Sequence, residues 1–258
     1  MYFTFESFAG FPIRHAMSMR DASLPSEGDI AFARGTISEH ISANRTAFLE
    51  SASFDPAALT LGRQVHGANV RVAGSSDRGR GQPPEFDGFP ETDGLITNAP
   101  EVALGTIVAD CTPILLYDPQ QHAIGLLHAG WRGTVSGIAR VGVERMVEMF
   151  GSHPEVIRAG IGPSIGPCCY EVGNEVIELW RKSTTEHWER AVVEKCPRPH
   201  FDLWSANRLI LEQAGIASDH IEVANRCTRC DAAQFFSHRA AMAGERARGR
   251  MIMVAQLD

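Results

Sequence analysis

The chain has 258 residues, 44% of them apolar and 21% charged, and its 24 basic against 31 acidic residues leave a formal charge of −7. Such proportions describe a globular protein that buries roughly three quarters of its unfolded surface, and the expectation is one domain spanning residues 1–258. No overall positive field draws this chain to a phosphate backbone or an anionic bilayer, which argues against nucleic acid and membrane as partners.

The start, Met1-Tyr2-Phe3-Thr4-Phe5-Glu6-Ser7, has no basic segment followed by an apolar one, and no apolar run approaches the 18 or so residues of a membrane span. A cytoplasmic protein is the simplest expectation. Six cysteines are too sparse for a disulfide scaffold, so reduced thiols are expected.

In chain order, residues 74–94 are crowded with Gly, Ser, Pro, Asp and Arg and predict an exposed loop. Residues 102–108 and 114–117 predict strands, with Asp110-Cys111-Thr112-Pro113 at the break between them, where proline withholds a ladder donor. Ala123–Leu127 predicts a buried strand that delivers His128 at its end. A glycine-rich turn follows. Thr134 is then placed to cap one helix through Val135, Ile138, Val143, Met146, Val147 and Phe150, closed by Gly151. Val156–Ile161 predicts a strand, Gly162–Pro167 a shaped loop, 174–182 a helix, and Asp202 to Gly215 a second capped helix. Met251–Ala255 predicts the last strand. Strands alternating with a few helices, and no internal repeat, place the chain in the α/β or α+β class.

Three short words carry the chemistry: Gln64-Val65-His66-Gly67, Ala109-Asp110-Cys111-Thr112-Pro113 and His128-Ala129-Gly130-Trp131-Arg132-Gly133. They set one thiol and two imidazoles beside turn residues. Neutral imidazole and thiolate suit a borderline-soft ion such as Zn²⁺, and three protein ligands leave a fourth position open for water or substrate. The wide spacing matches no compact zinc motif, so ordinary structural residues remain the alternative at this stage.

The same words, with Gly162-Pro163-Ser164-Ile165-Gly166, Cys169-Tyr170-Glu171-Val172 and Phe235-Phe236-Ser237-His238-Arg239, closely resemble the laccase-domain family, also called the multicopper polyphenol oxidase or purine nucleoside phosphorylase family. The resemblance runs from about residue 60 to the C-terminus. It implies a four-layer α/β/β/α sandwich with mixed sheets, zinc held by His66, Cys111 and His128, and action on purine nucleosides. The implied reactions are phosphorolysis of adenosine, inosine and S-methyl-5′-thioadenosine, with phosphate as co-substrate, and hydrolytic deamination of adenosine. The older oxidase name implies copper. The start departs from the family pattern: Ser18-Met19-Arg20-Asp21-Ala22 stands where a Thr-Arg and paired glycines are usual, and Ala31-Phe32-Ala33 where an Asn-Leu segment is usual. Asn44-Arg45 matches a family Asn-Arg pair.

Each further candidate has a functional and a structural reading. Asp110 is a candidate general acid or base, or else it orients its neighbour. Arg132, on a turn entering a helix, is the leading candidate for phosphate, or else it pairs with a carboxylate. Arg45 and Arg239 are weaker candidates for the substrate. Trp131 is placed to stack on a purine or to pack in the core, and Ser164 and Tyr170 to contact nucleoside or to brace their own loop. Cys227-x-x-Cys230 has the spacing of half a zinc site, but no matching pair follows it, so ordinary thiols are expected. Three other functions compete: a metal-free hydrolase with Cys111 as nucleophile and His128 as base, a copper oxidase, and a non-enzymatic zinc-binding partner protein.

Overall fold

The computed structural model describes residues 1–32, 36–83, 86–184 and 186–258. Ala33, in the altered N-terminal segment, lies outside the described residues. The strands are β1 (Tyr2–Phe3), β2 (Ile13–Ser18), β3 (Leu59–Leu61), β4 (Val70–Val72), β5 (Gly94–Thr97), β6 (Ala103–Val108), β7 (Thr112–Asp118), β8 (Ala123–Ala129), β9 (Arg158–Ile161), β10 (Val192–Val193), β11 (His200–Phe201), β12 (Ile221–Val223) and β13 (Met251–Leu257). The helices are α1 (Ser38–Ser51), α2 (Trp131–Val135), α3 (Ile138–Phe150), α4 (Asn174–Ser183), α5 (Leu203–Gln213) and α6 (His238–Met242).

Two mixed sheets form. One runs β1-β2-β13-β6-β3 and the other β12-β9-β7-β8-β5-β4, while β10 and β11 make a separate antiparallel pair. The period-two alternation of the strands sorts their side chains into three cores. Met251, Met253, Ala255 and Leu257 of β13 meet Leu115, Tyr117, Ile124 and Leu126 of β7 and β8 between the sheets. On the outer face of the first sheet, Ile252 and Val254 pack under Phe48 and Leu49 of α1. On the outer face of the second, Ile114, Leu116 and Leu127 pack against α3, α4 and α5 through Val143, Met146, Trp180 and Leu211. The layers therefore run α/β/β/α. Phe201, with no exposed surface, contributes about 1.5–3 kcal/mol by burial, and its ring meets Trp180 at 5.6 Å.

The strands expected at 102–108, 114–117, 123–127 and 251–255 form, as do the helices near 174–182 and after Asp202, whose carboxylate caps Trp204 and Ser205. Four details differ. Thr134 is no helix cap, because Gly130 and Gly137 occupy those positions and the segment breaks into α2 and α3. Gly137 has φ +76, a conformation that side chains resist, while the Thr134 hydroxyl accepts from Asn207 Nδ2 at 3.1 Å. The strand expected from Val156 starts at Arg158, since Pro154–Val156 turns as a 3₁₀ helix. Pro113 lies within β7, one residue from its start, where its carbonyl still accepts from Gly162 N at 2.9 Å. Helix α1 carries no clear sequence signal, because Asn44 and Arg45 share its buried face with Ile41, Phe48 and Leu49.

The loop before β5 is tied to the edge of the first sheet by Leu61 N to Arg80 O at 2.9 Å and Arg63 N to Phe89 O at 2.9 Å. No helix among the described residues is long and apolar enough to cross a membrane.

Candidate metal centre

Strand order decides where the site lies. β8 is antiparallel to both β5 and β7, with Pro113 opposite His128 and Gly94 opposite Leu127, so the end of β8 meets the starts of its two neighbours. Residues 111, 128 and 93 therefore gather at one edge. His128 is an even position of β8, on the side of Ile124 and Leu126, and so faces the space between the sheets.

His66 arrives on the loop joining β3 to β4. Two contacts shape that loop. Gln64 braces it against β6 like an extra strand, donating to Ile107 O at 2.9 Å and accepting from Ile107 N at 2.9 Å. The Asp93 carboxylate then gathers three successive backbone N–H groups, from Val65 at 3.1 Å, His66 at 2.9 Å and Gly67 at 2.8 Å. His66 itself adopts φ 63 and Asp110 φ 80, strained conformations on both flanks of the site.

Asp93 has a second task. Its Oδ1 accepts from His128 Nδ1 at 2.8 Å, which leaves Nε2 of that ring free for the site. The carboxylate is fully shielded and its partner nearly so, with side-chain exposures of 0% and 3%. Burial works to raise Asp93, but the bonds from His128, Gly67 and Val65 outweigh it and hold the carboxyl below its usual range. Nothing in the sequence reading pointed to this residue.

One donor atom from each of His66, Cys111 and His128 lies within 4.8 Å of the others. The two imidazoles stand edge to face with centroids 4.9 Å apart. Gly130 makes room, since a Cβ there would lie 3.0 Å from Cys111 Sγ and 3.2 Å from His66 Cδ2. Burial pushes the Cys111 thiol up, but His128 and then His66 pull it down to about 6. Burial likewise pushes His128 down, and hydrogen bonds to Asp93 and Cys111 raise it to about 9. Thiol and imidazole thus each favour the charged form of the other, and such an electropositive setting is what draws a cysteine sulfur toward the thiolate that ligates metal. These donors fit a metal such as zinc or copper: two imidazoles and one thiolate, with a partner fixing the tautomer of one ring.

The three side chains open onto a cleft of about 490 Å³ whose walls include Phe32, Gln64, Ile107, His238 and Arg250. His238, exposed at the start of α6, was not singled out from the sequence as a site residue.

The other sequence candidates take distinct positions. The Asp110 carboxylate is fully engaged, accepting from Thr228 Oγ1 at 2.6 Å, Ser237 Oγ at 3.1 Å and Arg239 N at 2.7 Å. Ser164 has no exposed surface, and its hydroxyl accepts from Trp204 Nε1 at 2.6 Å and Thr112 Oγ1 at 3.0 Å, which is the loop-bracing alternative. Tyr170 stands among site groups: burial and the negative charges of Cys111 and Asp110 push its hydroxyl up, against Arg239 and Arg132. The Arg239 guanidinium lies 5.2 Å from the Tyr170 ring and donates to Glu171 O at 2.9 Å.

Arg132 is exposed, 4.3 Å over the Trp131 ring, and no carboxylate pairs with it among the described residues. Trp131 is half-buried against the helical core. Arg45 is buried, donates from Nε to Ile30 O at 2.6 Å and lies 4.8 Å over the Phe32 ring, and among the described residues its Nη1 has no partner. Burial lowers its pKa to about 10 against the pull of Asp29, so it stays charged.

Comparison with known proteins places the fold and the family. A purine nucleoside phosphorylase, YlmD of Geobacillus stearothermophilus, is 40% identical over 201 residues, which span 76% of this chain and 72% of that one. An adenosine deaminase, RL5, from an unknown prokaryotic organism is 36% identical over 185 residues, 70% of this chain and 69% of that one. The crystal structure of YlmD from Geobacillus stearothermophilus superposes with a TM-score of 0.90 at 32% identity, covering 98% of this chain and 94% of that one. The family model for multi-copper polyphenol oxidoreductase laccases matches residues 14–258, including the N-terminal stretch that the sequence words left out, and the chain belongs to that family.

Proposed function

We propose that this chain is a zinc-dependent purine nucleoside enzyme that cleaves adenosine, inosine and S-methyl-5′-thioadenosine with phosphate and deaminates adenosine with water. The observation that carries the reading is the convergence of His66, Cys111 and His128 donors within 4.8 Å at the mouth of a cleft. The names of the relatives, a phosphorylase and a deaminase, support the substrate class.

Zinc held by these three side chains would supply Lewis-acid activation of water, which hydrolytic deamination requires. Asp93 holds His128 in the ligating tautomer and fixes the His66 loop. Asp110 positions the Cys111 turn, since its carboxylate is held by Thr228, Ser237 and Arg239. The Arg132 guanidinium, unpaired among the described residues, suits a phosphate oxygen, and its own stacking on Trp131 limits the wandering of both side chains. Phe32 offers the base an apolar wall, with Arg45 behind it. Tyr170, with the Arg239 guanidinium 5.2 Å from its ring, is the proposed nucleoside contact on the Gly162–Pro167 side. Residues 1–258 act as one unit in this reading, supported by β2 and β13, from opposite ends of the chain, pairing side by side.

Zinc suits the centre better than multiple coppers, which need many convergent imidazoles; among the described residues this cluster brings together two. Incubation with a nucleoside panel, with and without phosphate, read by mass spectrometry, tests the proposal. Free base and ribose 1-phosphate appear with phosphate, and inosine appears from adenosine without it. Turnover that survives complete removal of metal by a chelator would instead establish the metal-free Cys111–His128 hydrolase.

A further inference from the structure

The Cys227-x-x-Cys230 pair, half of a zinc-binding pattern, finds its missing half upstream. β9 and β12 are parallel neighbours, with Ala159, Gly160 and Ile161 opposite Ile221, Glu222 and Val223, so the segments leaving them run side by side. Ser164 N donates to Arg226 O at 3.2 Å and Thr228 N to Ser164 O at 3.1 Å, locking the two segments in register. The loop that follows Ser164 turns back over the second segment and lays Cys168 and Cys169 against Cys230. Each of their sulfurs is 3.4 Å from Cys230 Sγ, and all four sulfurs lie within 4.8 Å of one another.

We propose that Cys168, Cys169, Cys227 and Cys230 form a closed four-thiolate zinc site, separate from the cleft. Tetrahedral coordination at a Zn–S distance near 2.3 Å sets sulfurs about 3.8 Å apart, inside the range observed. Gly166 N already donates to Cys227 Sγ at 3.2 Å, the kind of backbone bond that orients a thiolate ligand. Four soft sulfurs select zinc over magnesium or calcium. Binding converts four thiols to thiolates and releases their protons to solvent, with no change of oxidation state.

The consequence reaches the cleft. The ion would tie the loop bearing Tyr170 to the segment bearing Thr228, whose hydroxyl holds Asp110 next to Cys111. A closed site has no position for substrate, so its task is to keep that wall in place.

Native mass spectrometry of the full chain, produced with zinc and reductant, tests the assignment. Two zinc ions per chain are expected in the unaltered protein, one in a Cys168→Ser/Cys230→Ser variant, and one in His66→Ala. Equal zinc content in the unaltered protein and the double serine variant, or none in His66→Ala, would each overturn it, whereas one ion that survives His66→Ala and is lost from the double serine variant would leave this site standing and empty only the cleft. Alkylation mapping of the unaltered protein guards against a variant that fails to fold. Cys168, Cys196 and Cys230 are all exposed. With zinc bound, Cys196 should react at least tenfold faster than Cys168 and Cys230, and a chelator should remove the difference; equal rates before chelation, or a Cys168–Cys230 disulfide, would refute the site.

Discussion

Asp93→Asn is the most searching single change. Oδ1 accepts from His66 N and His128 Nδ1, and Oδ2 from Val65 N and Gly67 N, so every acceptor position faces a donor. An asparagine amide, whichever way it is turned, aims an NH₂ group at two of those N–H groups. Losing two bonds to a charged acceptor costs about 1.5–3 kcal/mol each, or about 3–6 kcal/mol in all, a large share of the roughly 5–15 kcal/mol that holds a domain folded. The His66 loop and the His128 ring lose their common anchor together. Metal affinity should fall by about 10- to 100-fold, as for other groups that orient ligands. Urea unfolding of the metal-free protein reads the first effect, and competition with a chromophoric chelator, on variant shown to be folded by circular dichroism, reads the second. Zinc affinity and turnover within twofold of the unaltered protein would refute the reasoning. Lost stability with unchanged affinity would show that Asp93 builds the loop without serving the metal.

His66→Ala, Cys111→Ala and His128→Ala should each lose zinc from the cleft and lower turnover by more than the roughly 100-fold typical of outer ligand-orienting changes; full metal content and activity would sink the metal assignment. Arg132→Ala should raise the KM for phosphate in phosphorolysis and leave water-dependent deamination unchanged, and equal effects on both would remove Arg132 from the phosphate site. Burial holds His15 down at about 4, and its Nε2 accepts from Phe5 N at 2.8 Å, a bond only the neutral ring can accept. Between the unfolded pKa near 6.5 and that folded value, the unfolded chain binds the extra proton, so stability falls as pH drops, by up to about 3 kcal/mol. His15→Gln should flatten that part of the urea-midpoint profile, and an unchanged slope would count against it. Gly160→Ala would set a Cβ 2.6–2.7 Å from atoms of the buried Phe5 ring and should cost about 1–3 kcal/mol, read from the unfolding midpoint.

Strands were legible because their signal is local. In β7, β8 and β13 nearly every residue is apolar, both faces being buried, and proline and glycine mark the breaks. The three ligand candidates were legible for a related reason: their residue types are scarce and each sits beside turn chemistry. Asp93 was not, because an aspartate before a strand looks like any turn residue, and what distinguishes it is four donors from His128 and the Val65–Gly67 loop. α1 escaped because its buried face carries Asn44 and Arg45, held by Asp29 O, Pro25 O and Ile30 O from a distant loop. The cysteine quartet escaped because its halves meet only where β9 and β12 run parallel.

The sequence by itself therefore determined the apolar strands β6, β7, β8, β9 and β13 and which atoms are fit to bind a metal, since both depend on neighbours within a few residues. Tertiary structure alone decided which of those atoms meet. Antiparallel pairing of β8 with β5 and β7 assembles the cleft, and parallel pairing of β9 with β12 assembles the thiols. Strand order is settled by packing three cores at once, which no local stretch of chain encodes.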